Sequence, residues 1–222
     1  MTRRPRALLL AASVLVTLWA SVPGALPASA HEADDYYVHR WQGDLDLTYR
    51  FTKQVPATPA VRARINSGAG KWNALGQSLT MRKRGVDLAN YDPYVCPSSP
   101  RKNGIHWREI DGPGATAGSA LTCWTSTGAL YSFQVIFDHD ENWYTGTGTP
   151  APGQMDLASV SAHEFGHAAG FGAGADASHF SAATPLCPLA STLNTLCPAI
   201  VSGTTWSRSL AWHDRHTFRS AY

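Results

Sequence analysis

The sequence predicts an α+β domain from three observations. Alternating strand patterns gather in its first half, helix patterns stand at separate fixed points, and Gly-, Pro- and Ser-rich stretches divide them. The chain opens with Arg3, Arg4 and Arg6, an apolar run from Ala7 to Ala20, and then Ala28-Ser29-Ala30. This order predicts a secretory leader, residues 1–30, cleaved after Ala30. The apolar run is short for a membrane span and gives way to Pro23 and Gly24, which argues against an anchor. Arg3-Arg4 carries little else of a twin-arginine signal.

The remaining residues 31–222 are sized for one hydrophobic core. Removing the leader takes away 3 of 18 basic residues and none of the 16 acidic ones, so the net charge of +2 becomes 15 − 16 = −1. Nothing in that balance points to nucleic acid or an anionic membrane as partner, and a monomer is expected.

The elements follow in order. DLDLTYRF at 44–51 alternates Leu45, Leu47, Tyr49 and Phe51 with polar residues, a strand with one buried face. Thr58 and Pro59 read as cap and first residue of a helix that turns Val61, Ile65 and Trp72 to one side. Further strands are expected around 79–84, 104–110, 120–126 and 129–138, with loops at 91–104 and 144–155. Asp156 caps a second helix, in which Leu157, Val160, Ser161, Glu164 and Ala168 recur at helical spacing until Gly170 and Gly172 end it. A final helix is expected from about Ser207 to Tyr222, on the spacing of Leu210, Phe218 and Tyr222.

Cys96, Cys123, Cys187 and Cys197 are an even set that an oxidising compartment would pair. Of three connectivities, Cys96 with Cys123 and Cys187 with Cys197 is favoured, since the second bridge closes a short loop. Zinc ligation by these cysteines is disfavoured by the lack of CxxC spacing.

The second helix carries the chemistry. HEFGH at 163–167 places His163 and His167 one turn apart on one face, near enough to share a metal, with Glu164 offset toward the metal's open side. There Glu164 could take a proton from a metal-activated water. A catalytic zinc needs a third protein donor. The candidates are His179, after the small-residue stretch GAGADA, and Asp176 within it. His179 is favoured, because neutral imidazole is the commonest zinc donor and a glycine-rich loop is pliant enough to place it.

HEFGHAAGFG resembles the start of the metzincin motif HExxHxxGxxH found in matrixin-like secreted metalloproteases. Gly170 takes the glycine position, whereas Ala173 stands where the third histidine falls. The resemblance extends to Asp156–Gly170, to VIFDHDENW before it, to IDGPG at 110–114 and to INSGAGKWN at 65–73, and covers most of residues 58–222. It implies a twisted, mostly parallel sheet of about five strands with an active-site helix, a C-terminal helix and one antiparallel edge strand along the cleft. Residues 31–222 would be the catalytic domain of an extracellular zinc endopeptidase acting on proteins or peptides, with Glu164 as general base and His163, His167 and His179 on Zn2+.

Leu196 stands at the position of the family's turn methionine, and its similar volume and apolarity preserve the packing. Asp138, Asp140, Glu141 and Asp111 resemble calcium-binding positions, and a solvated acidic loop is an equal reading. Ile136 replaces a histidine of the family's second, structural zinc. Asp214 resembles a position that packs under the site, while His213 and His216 read as surface residues. Two other function classes stay open: a secreted zinc protein that binds peptides without cleaving them, which the intact Glu164 argues against, and a zinc hydrolase of non-protein substrates.

Overall fold

The computed structural model describes residues 36–85, 87–100, 102–175, 179 and 194–222. The expected leader, Asp176 and Cys187 lie outside the described residues. The main sheet has the order β1-β6-β4-β2-β3, with β5 on the other edge of β6. Its strands are β1 (Arg40–Trp41), β2 (Asp46–Phe51), β3 (Thr80–Lys83), β4 (Asn103–Arg108), β5 (Gly118–Trp124) and β6 (Ala129–Asp138). All pairings are parallel except that of β5 with β6, which sets Gly118 opposite Phe137. This is the α+β arrangement that the sequence patterns predict, with the mostly parallel sheet and antiparallel edge strand that the family resemblance implies. Two short strands, β7 (Trp143–Tyr144) and β8 (Met155–Asp156), pair at the ends of the stretch expected to be a loop.

Period-two alternation buries Leu47, Tyr49 and Phe51 on one side of β2, facing the helices. Helix α1 (Pro59–Asn73) returns Ile65, Ala69 and Trp72 to that core, and α2 (Leu157–Ala168) adds Leu157, Val160 and Phe165. The crossing of α1 and α2 is bonded by side chains. Ser161 Oγ donates to Ile65 O (2.7 Å), and Trp72 Nε1 donates to Ala162 O (2.8 Å). Cys96 and Cys123 are bridged, tying the 91–100 segment to β5. Cys197 is disulfide-bonded as well. No helix among the described residues is long and apolar enough to cross a membrane.

Two local expectations need correction. Thr58 occupies the N-cap of α1, but its side chain caps nothing, and the helix start rests on Pro59 and on the bond from Arg62 N to Thr58 O. The expected C-terminal helix is broken: a 3-10 turn at Trp206–Arg208 is followed by extended backbone at Ser209, and α3 begins only at Trp212 and runs to Ala221. Leu210 therefore packs into the core from outside the helix. The break is tertiary in origin, because the α3 carboxylate of Asp214 accepts from Ala211 N as well as from the distant Thr195 N and Leu196 N.

Candidate metal centre

Helix α2 is fixed at both ends before it presents any chemistry. At its start, Asp156 accepts from Ser159 N (2.9 Å) and Ser159 Oγ (2.7 Å), as its N-cap position predicts. The same buried carboxylate takes a two-pronged ion pair from Arg208, with Nη2 to Oδ1 at 2.6 Å and Nε to Oδ2 at 2.9 Å. Arg208 also reaches Thr147 O and Gly146 O, so one side chain joins the helix start, the 144–147 segment and the 3-10 turn. At its end, Gly170 has φ +110° and Gly172 has φ +79°, left-handed values that stop the helix just after His167.

His163, His167 and His179 converge. Their Nε2 atoms lie 3.1 Å (163 to 167), 3.2 Å (163 to 179) and 3.3 Å (167 to 179) apart. Nitrogens bound tetrahedrally to one zinc at about 2.0–2.1 Å stand about 3.3 Å from one another, so this triangle has the size the ion requires. The tautomers also suit a cation. His163 Nδ1 lies 2.7 Å from Thr195 O, and His167 Nδ1 lies 3.0 Å from Phe171 O. A carbonyl only accepts, so each Nδ1 carries the hydrogen and each Nε2 turns a lone pair inward.

Burial completes the electrostatics. It holds His163 well below its ordinary pKa, with the neighbouring His167 and His179 adding to the effect, and it lowers His167 to about 4. His179 is lowered in the same way. Neutral imidazole is the ligating form. Glu164 is 4% exposed, burial pushes its carboxyl up to about 8, and its Oε2 has no hydrogen-bond partner. A buried carboxylate of this kind is costly alone and is stabilised by a cation beside it.

Glu164 and His163 look into a cavity of about 300 Å³ beside the start of β5. Ala115–Gly118, Met155, Val160 and Pro198–Ile200 line it together with His179. Gly118 fits only because it has no side chain: a Cβ there would stand 2.8 Å from Glu164 Oε1 and 2.8 Å from Val160 Cγ1. Gly118→Ala is accordingly expected to displace the Glu164 carboxylate while the protein stays folded, checked by a crystal structure of the variant alongside circular dichroism.

Beneath the helix, Leu196 is fully buried and packs so tightly on Gly166 that an added Cβ would meet Leu196 Cδ2 at 2.6 Å. Asp214 accepts from Thr195 N (2.8 Å) and Leu196 N (3.2 Å), which aims the Thr195 carbonyl at His163. Asp214 thus lies under the site, as the sequence suggests, and leucine forms the floor. Ala173 lies in the loop after α2, where its carbonyl accepts from His39 N.

The acidic turn is held by hydrogen bonds to backbone amides. Asp138 accepts from the amides of Ile110, Asp111 and Asp140, Asp111 accepts from Thr116, and Glu141 accepts from Gly114 N. These bonds tie the acidic turn to the loop before β5, and Asp138, His139 and Asp140 bring their ligand atoms within 4.8 Å of one another. His213 and His216 sit on α3 beside exposed Trp212, which stacks on the His216 ring at 4.7 Å. Sequence reasoning missed Arg208, Gly118 and the carbonyls of Thr195 and Phe171. Only a buried N-cap Asp156 in need of a cation gave a signal for any of them, and it did not say which cation.

Two comparisons bear on this site. The family model described as Matrixin, a peptidase family, matches residues 40–182. No curated protein matches the chain.

Proposed function

Because the chain belongs to the matrixin family, we propose that it is a secreted zinc endopeptidase in which His163, His167 and His179 hold the ion and Glu164 is the general base. Matrixins are metalloproteases that act on proteins or peptides, and the finer assignment rests on this chain's own residues. The observation that carries it is the triangle of imidazole nitrogens at 3.1–3.3 Å beside the unpartnered carboxylate of Glu164. When bound there, zinc supplies the Lewis acidity that polarises a peptide carbonyl and lowers the pKa of a water.

The remaining work falls to protein groups. Glu164 accepts the proton of the attacking water and passes it to the nitrogen of the departing amine. The outer edge of β5 gives an extended peptide main-chain partners, which aligns its scissile carbonyl with the histidines. The walls formed by Val160, Met155 and Ile200 admit an uncharged side chain next to the cleaved bond. Export is proposed on the leader pattern of residues 1–30, with the Cys96–Cys123 bridge in support.

Incubation of the mature protein with casein, with and without a chelator, tests the activity. Chelator-sensitive cleavage is expected, and a zinc-loaded protein that cuts neither casein nor any peptide of a mixed library would overturn the assignment. For the ligands, His179→Ala is expected to lose stoichiometric zinc, and Asp176→Ala to keep it. Full zinc retention by His179→Ala would move the third position elsewhere.

A further inference from the structure

We propose that the segment Tyr36–Trp41 is a strap that positions the metal-binding histidines, an inference that rests on the zinc-site reading above. The loop after α2 bends at three glycines with positive φ, Gly170 (+110°), Gly172 (+79°) and Gly174 (+74°). Such a backbone has more freedom to lose than any other and will not hold one shape unaided. Yet this loop supplies Phe171 O, the partner of His167 Nδ1 at 3.0 Å, and it ends close before His179.

What orders it is the strap. Tyr36 O accepts from Gly172 N (2.6 Å), and His39 N donates to Ala173 O (3.0 Å), so two extended bonds join strap and loop. The Tyr36 ring stacks on Phe171 at 4.8 Å with an interplanar angle of 10°, and Tyr37 meets the same ring edge-on at 5.5 Å. Phe171 is therefore held between two aromatic side chains while its carbonyl points back at His167. Gly174 packs against the His39 ring, where a Cβ would stand 2.4 Å from Cδ2. Trp41 Nε1 donates to Ala168 O (2.9 Å), a carbonyl left over at the end of α2, and Tyr222 Oη donates to Ala169 O.

Each link has a direct reason to act on the metal. A histidine whose free ring nitrogen loses its carbonyl partner can rotate and change tautomer, and loss of such a partner weakens metal binding by about 10–100-fold. Tyr36 and Phe171 act through His167 and are positioning residues. They touch neither the reacting atoms nor the cleft.

The test measures zinc affinity by competition with a chromophoric chelator, together with the visible spectrum of the cobalt-substituted protein. Tyr36→Ala is expected to raise the zinc Kd about 10–100-fold and to shift the cobalt bands, while Tyr36→Phe, which keeps the stack, restores both. Met81→Ala, in the edge strand β3, controls for lost stability and should leave the zinc Kd unchanged. Where Tyr36→Ala does not fold, Tyr36→Leu carries the same readings. A Tyr36 variant that binds zinc like the wild type, or a Met81→Ala protein that weakens equally, would overturn the strap alone. A wild-type protein that takes up no zinc would overturn the metal-site reading, and the strap with it.

Discussion

Glu164→Gln is expected to lower kcat by about 10²–10⁴-fold while zinc stays stoichiometric. The replacement keeps the shape of a side chain that is 4% exposed and fills the wall beside Gly118, so packing changes little. It removes one property, the carboxylate that accepts a proton once a cation beside it offsets the effect of burial. Because Oε2 of Glu164 has no protein partner, the amide strands no donor or acceptor elsewhere. The loss should thus appear in turnover and not in metal content or melting temperature. On the proposed mechanism kcat and kcat/KM fall together, since the proton transfer belongs to the transition state and not to the ground-state complex. Measured turnover close to wild type would remove Glu164 from the mechanism. Loss of zinc along with activity would show that the carboxylate instead supports the metal.

How far such a site is legible in a sequence depends on how local its parts are. His163, Glu164 and His167 share one helical turn, and Asp156 caps that helix three residues from the amide it binds, so both could be read from spacing alone. His179 is less legible, since it stands twelve positions beyond His167 and glycine composition does not determine where a chain returns. The carbonyls that orient the rings were out of reach. Every residue has a carbonyl, and only the tertiary path of 194–197 and of 170–175 selects Thr195 and Phe171. The same limit applies to the fold. DLDLTYRF announced β2 by its alternation, whereas β1 has two residues and exists because the strap docks beside β6. At the C-terminus, Leu210 mimicked helical spacing, but Asp214 gathers three amides from two segments and sets the start of α3 at Trp212.

Two glycines two residues apart in α1 should respond to the same substitution with opposite sign. Alanine exceeds glycine in helix propensity by about 1 kcal/mol, so propensity alone favours both replacements. Gly70 is exposed with nothing within 4 Å of an added Cβ, and Gly70→Ala should raise stability by about 0.5–1 kcal/mol. Gly68 is buried where α1 crosses α2, and its Cβ would stand 2.2 Å from Ser161 Oγ, 2.5 Å from Ser161 C and 2.6 Å from Ser161 O. Two of those atoms are backbone and cannot swing aside, so the helices must separate by about 1 Å to restore van der Waals contact. Separation stretches the bonds from Ser161 Oγ to Ile65 O and from Trp72 Nε1 to Ala162 O, which hold the crossing together. Overpacking and the weakened bonds outweigh the propensity gain, and Gly68→Ala should lose about 2–4 kcal/mol, a fall in Tm of roughly 5–15 °C. The displacement also reaches the metal, because Ser161 precedes His163 by two residues on the same helix. Zinc affinity should therefore weaken in Gly68→Ala and stay at the wild-type value in Gly70→Ala. Thermal melts and zinc titrations of the two variants check this pairing, and equal shifts of the same sign would mean that α1 and α2 do not meet at Gly68.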